Sequence, residues 1–170
     1  MNEIKQFKGL YSRIKQMFKM STMRLFKLMI SSFALFFSIS SFAVAPVYTE
    51  RGSDIAIKGY DPVAYFTENK PVKGSEEYSF EHNGAVWLFS SEENRVLFIS
   101  DPKKYSPQYG GYCAYAVSRN MTASIQPELF TIEKGKLYLN YNNSVNNRFL
   151  KNMDKYIAKA DENWPKILKR

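Results

Sequence analysis

The sequence predicts a small single α+β domain in which two β-hairpins pack against three or four helices. Three observations carry that reading. Two β-rich stretches each fold back on a glycine turn, at Asn83-Gly84 and at Lys134-Gly135. Apolar residues recur at helical spacing behind polar capping residues, before Val96-Leu97-Phe98 and along Val145, Phe149, Met153, Tyr156, Ala160 and Trp164. With 45% hydrophobic and 24% charged residues over 170 positions, the chain has the composition of one ordinary globular domain.

The front of the chain reads as an address. From Met20 a short basic region (Arg24, Lys27) leads into the apolar run Leu28 to Phe42 and the small-residue ending Ala43-Val44-Ala45, the layout of a signal peptide cleaved after Ala45. Five serines interrupt that run, and it is shorter than the ~20 apolar residues of a spanning helix, so no stable membrane span is expected after cleavage. Residues 1–45 are therefore an N-terminal extension and signal peptide, and the expected location is periplasmic or secreted. Seven of the 24 Lys and Arg lie in this part against one acid, Glu3, which leaves 17 basic and 15 acidic residues beyond it. A net charge near +2 gives no basis for nucleic-acid binding.

Residues 46–54 read as a flexible lead-in and residues 55–170 as the domain. Asp61 is placed to cap a short helix with Pro62 in its first turn, burying Val63 and Phe66. Tyr78, Phe80 and His82 alternate with polar residues toward the Asn83-Gly84 turn, and Val86 to Phe89 return. Ser90 and Glu93 have capping-box spacing for a helix that starts near Ser91 and ends before Asp101-Pro102. Leu129 to Ile132 and Leu137 to Leu139 make the second hairpin, Asn143 or Ser144 caps the last helix, and Pro165 closes it. Its face of Lys151, Lys155 and Lys159 is solvated surface. No internal repeat at fixed period is evident.

Chemistry concentrates in Gln108 to Arg119, which holds a glycine pair, three tyrosines and the chain's one cysteine, Cys113. Gly110-Gly111 lacks the spacing of a phosphate loop and reads as a close backbone approach or turn. Cys113 has two readings: a thiolate metal ligand or redox group, or a small buried hydrophobe beside Ala114, Ala116 and Val117. His82, the one histidine, is either a solvated turn residue or a second ligand beside Cys113 for a copper or zinc ion. Tyr60, Tyr65, Tyr109, Tyr112 and Tyr115 are candidates to line a small-ligand pocket. With one histidine outside any motif and no paired carboxylates, an ordinary hydrolase is not indicated.

Gly59 to Phe66, the hairpin through Trp87-Leu88-Phe89-Ser90-Ser91-Glu92, the Phe98-x-x-Asp101-Pro102-x-x-Tyr105 segment and Gln108 to Val117 together resemble exported proteins of the YHS domain family. In many such domains cysteines within Asp-Pro-Val-Cys-Gly and Phe-Cys-Ser-Glu-x-Cys are credited with binding metal. Here Ala64, Ser90 and Asn94 stand at those places, so the resemblance implies a retained scaffold without its thiolates, with Ser90 kept as a helix cap. Three functions follow as expectations. The first is a YHS-type binding module handling a metal such as copper through Cys113 and His82. The second is a module for a small ligand or protein partner with Cys113 in the core. The third is a thiol redox protein, which lacks a resolving cysteine.

Overall fold

The computed structural model describes residues 44–170. The expected extension and signal peptide up to residue 43 lie outside the described residues. Ten elements follow: α1 (Ala64–Thr67), β1 (Ser75–His82), β2 (Ala85–Phe89), α2 (Glu92–Ser100), α3 (Pro102–Tyr105), α4 (Ala114–Ser118), β3 (Gln126–Glu133), β4 (Lys136–Asn140), α5 (Asn143–Lys151) and α6 (Met153–Ile167), with 3-10 turns at Ile57–Gly59 and Gln108–Gly111. The fold is α+β, built on two separate antiparallel two-stranded sheets, β1-β2 and β3-β4. Among the described residues no helix is long and apolar enough to cross a membrane.

Each hairpin closes as its turn residues dictate. Asn83 and Gly84 take φ 53° and 76°, and Lys134 and Gly135 take φ 51° and 72°, the pair of positive angles that matches the twist of the flanking strands. Registers run from His82 opposite Ala85 to Ser75 opposite Phe89, and from Glu133 opposite Lys136 to Gln126 opposite Asn140. The inward residues of both hairpins, with Phe98 and Phe149 from α2 and α5, fill two hydrophobic clusters bridged by Tyr112 and Tyr115.

The two hairpins belong to a repeat, contrary to the sequence expectation. Strand starts 75 and 85 recur at 126 and 136, helix starts 92 and 102 at 143 and 153, and the strand irregularity at Ser75/Ser79 recurs at Gln126/Phe130, each displaced by 51 residues. Upstream, three consecutive positive-φ residues, Ile57, Lys58 and Gly59, are matched by Tyr109, Gly110 and Gly111. From Ser75 to Tyr105 the identical pairs across the 51-residue shift are Glu77/Glu128, Gly84/Gly135, Leu88/Leu139, Phe98/Phe149, Lys104/Lys155 and Tyr105/Tyr156. So few identities hide the period from sequence, while the turn, core and cap positions that fix the fold survive.

Several local expectations are corrected. The cap of α2 is Ser91, whose side chain accepts from the Asn94 N–H, and not Ser90. On α2 Phe98 is fully buried, but Val96 and Leu97 face outward. On α1 Tyr65 is buried more deeply than Phe66. Asn142, rather than Asn143 or Ser144, caps α5, and Asn152 leaves helical geometry, which splits the last helix in two. Pro165 sits inside α6, which runs on to Ile167. The lead-in is packed: Val47 and Tyr48 are core residues, the Tyr48 N–H donates to the Gly110 carbonyl at 2.8 Å, and the Tyr48 hydroxyl pairs with Ser124 at 2.7 Å.

Candidate functional site

The glycine pair makes close backbone contacts, as a turn without phosphate-loop spacing should. A Cβ on Gly110 would lie 1.9 Å from the Pro46 carbonyl oxygen, and one on Gly111 would lie 2.5 Å from Cγ2 of Ile57. Both glycines also have positive φ, so only glycine fits both the backbone angle and the space. This contact seats the lead-in across the central stretch.

Cys113 lies in the same core cluster as Val47 and Tyr48, at 1% exposure. Its thiol is 3.6 Å from Oδ1 of the equally buried Asn140, which also accepts from the Tyr115 N–H. Burial pushes the thiol pKa up, so the thiolate that a metal or a disulfide exchange requires is disfavoured. His82 stands at the end of β1, where its ring stacks on Phe80 at 6.3 Å and meets the edge of Phe98 at 5.7 Å. The structure thus gives the two residues different surroundings. Among the described residues no three His, Cys, Asp or Glu side chains gather where they could hold one ion.

The positions of the family cysteines form a different construction. Asp61 is fully buried, and its carboxylate accepts five hydrogen bonds. Oδ1 takes the backbone N–H groups of Val63 and Ala64 at 2.8 and 3.2 Å, which is the capping role the sequence suggests. Oδ2 takes the Ser90 N–H at 2.8 Å, the Ser90 hydroxyl at 2.7 Å and the Asn94 amide at 2.7 Å. Ser90 and Asn94 therefore tie β2 and α2 to the start of α1. A carboxylate offers about four lone-pair directions, and this one is saturated. Ala64 contributes no donor atom. These residues do not fit a metal ion, because the Asp61 carboxylate and the Ser90 hydroxyl are already engaged with each other and with Asn94, and the amide nitrogen of Asn94 points its N–H groups at them.

The five tyrosines do not share one pocket. Tyr65 is fully buried and donates to the Pro127 carbonyl at 3.1 Å, and Tyr60 donates to Glu128 at 3.0 Å. Tyr115 packs edge-on against Tyr156 at 5.0 Å. Tyr112 meets Tyr48 at 5.4 Å and Trp164 at 5.8 Å. Of these tyrosines Tyr109 lines a groove of about 660 Å³ between the β1-β2 tip, the chain from Pro102 to Gly110 and the end of α6. His82, Trp87, Lys103, Asp161 and Trp164 also line it. The Tyr109 hydroxyl donates to Asp161 Oδ1 at 2.9 Å, and burial is the main reason its pKa is pushed far up.

Trp164, Asp161 and Lys103 were not legible as site residues. Trp164 reads as one more apolar position of a helix, although the carboxylate one turn before an aromatic residue is a signal in the sequence itself. What sequence alone does not supply is the partner surface, since the β1-β2 tip lies some eighty residues before Trp164.

Comparison with known proteins finds that residues 63–109 match the family model of the YHS domain. The match spans α1 to the first part of the Gln108–Gly111 turn, and so the first of the two repeated halves. No curated protein and no solved structure matches the chain.

Proposed function

Since residues 63–109 match the YHS domain family, we propose that the chain is an exported binding module that takes a small organic ligand, without a metal at the family's thiolate positions. The groove carries this reading. Its volume of about 660 Å³ lies in the usual range of small-molecule sites, and it brings together both tryptophans of the chain, Trp87 and Trp164, with Tyr109, His82 and a few charged groups. An apolar lining with a few fixed polar groups is the chemistry by which such sites gain affinity and orientation. Export rests on the leader sequence; the saturated Asp61 carboxylate supports the absence of a metal at the family's thiolate positions, and the burial that pushes the Cys113 thiol up supports the non-metal reading over copper or zinc held by Cys113 and His82.

Because both tryptophans line the groove, intrinsic fluorescence reports on its occupancy. Titrating the purified protein with indole, phenol and cyclohexanol fragments should shift tryptophan emission saturably, and amide NMR shifts should map to the β1-β2 tip and the end of α6. Fragments that move neither signal would reject the groove as a ligand site. In parallel, adding Cu or Zn ions should produce no thiolate charge-transfer band. A band that disappears in Cys113→Ala would restore the metal reading.

A further inference from the structure

The groove's side chains point to a ligand class. Trp164 is partly exposed and braced by two tyrosines, Tyr109 at 6.2 Å and 66° and Tyr112 at 5.8 Å and 49°, so the indole is held in one orientation as a platform. Asp161 lies one helical turn earlier on α6, where residues three apart are neighbours on the same face. The Tyr109 hydroxyl fixes Oδ1 of that carboxylate at 2.9 Å, and among the described residues Oδ2 takes no hydrogen bond. Lys103 lines the same groove, is exposed, and makes no ion pair among the described residues.

We propose that this groove binds a saccharide, one ring of which stacks on Trp164 while its hydroxyls bond to Asp161 and Lys103; the proposal rests on the groove being the ligand site. A carboxylate accepts hydrogen bonds and an ammonium donates them, so a partner that does both through the same groups satisfies both. A sugar hydroxyl does so, and the C–H face of a pyranose is a flat apolar surface that fits an indole. The charges argue against simpler ions. An organic cation drawn to Asp161 and the aromatic rings meets Lys103, and an anion drawn to Lys103 meets Asp161. A neutral polyol meets neither penalty.

The test is calorimetric and fluorescence titration of the purified protein with cellobiose, maltose and chitobiose, with tetramethylammonium chloride and a proline-rich peptide as counter-probes. At least one disaccharide is expected to bind saturably with a millimolar or tighter Kd. Trp164→Ala should weaken it by about tenfold or more, the loss of one stacking contact. Asp161→Asn and Lys103→Met should each weaken it by about threefold or more, on the scale of one hydrogen bond. The last two positions are exposed, so they keep the test valid if Trp164→Ala fails to fold, which circular dichroism would reveal. If the aromatic fragments bind and none of the three disaccharides does, the saccharide assignment is overturned while the groove stands. Binding of tetramethylammonium or of the peptide in place of a sugar overturns it in favour of that chemistry. If nothing binds, both readings fall together. Disaccharide binding that is indifferent to all three substitutions places the sugar elsewhere and also overturns the proposal.

Discussion

Asp61 shows how one buried carboxylate can organise a place where many domains of the family it resembles are credited with metal-binding cysteines. Its five donors come from α1, the end of β2 and α2, so the hydrogen-bonded cluster joins the same segments that cysteines at positions 64, 90 and 94 would have joined. Removing the acceptor strands buried donors, and breaking such a network costs more than one hydrogen bond is worth. Asp61→Ala should therefore lose about 3–5 kcal/mol in urea denaturation. Asp61→Asn should lose less, because it keeps the shape and one acceptor. A loss within ~0.5 kcal/mol for Asp61→Ala would mean the cluster is ornamental. The sequence showed Asp61 as a helix cap. It did not show the other three bonds, because Ser90 and Asn94 lie 29 and 33 residues away and nothing in their local pattern names a partner.

Tyrosine ionisation follows from the same residue-scale burial. Tyr65 and Tyr109 have pKa values pushed far above the ordinary 10.0, first by desolvation and then by neighbouring acids, and Tyr138 is pushed up to about 12. For a raised pKa the folded chain keeps protons that the unfolded chain releases at 10.0. The contribution is fully present below pH 10 and is lost as pH rises from there toward the folded values. Thermal stability should be flat between about pH 7 and 9 as far as these groups decide it, and should fall above about 10. Replacing Tyr109 by Phe should lessen that fall. An unchanged alkaline slope in Tyr109→Phe would show that its phenol stays protonated in neither state or titrates freely in both.

At the scale of elements, the glycines separate conformational from steric need. Gly135 has φ 72° with open space around its missing Cβ, whereas Gly110 has φ 61° and the Pro46 backbone at 1.9 Å. Gly135→Ala should lose about 1 kcal/mol, the strain of a side chain at a left-handed backbone angle. Gly110→Ala must also expel the Pro46–Tyr48 segment, which buries Val47 and Tyr48, and should lose at least twice as much and expose that segment to limited proteolysis. Equal losses for the two would show that the lead-in is not held by this contact. The hairpins were legible because Asn-Gly and Lys-Gly announce their own turns. The packed lead-in was not, because its partner is a glycine sixty residues on whose role is to be absent of side chain, and the split of the last helix at Asn152 was hidden by an apolar spacing that continues across it.

For the whole molecule, the repeated halves pose a question of cooperativity. Phe98 and Phe149 occupy equivalent places after the two hairpins, and both are fully buried. Phe98 packs with Trp87 at 5.1 Å and Phe89 at 5.2 Å, while Phe149 packs with Tyr138 at 5.9 Å. If the halves folded independently, each substitution would weaken its own half and leave the other's transition in place. The structure argues otherwise: Leu137 and Leu139 of the second hairpin lie in the same cluster as Trp87 and Phe98 of the first, and Tyr112 and Tyr115 pack against both clusters. Phe98→Ala and Phe149→Ala should then each lose about 3–5 kcal/mol from one common unfolding transition, whether followed by tryptophan emission or by far-ultraviolet circular dichroism. Because the clusters touch through shared residues, the double variant should depart from the sum of the two losses. Two resolved transitions, with Phe98→Ala moving one and Phe149→Ala the other, would show instead that each half carries its own core.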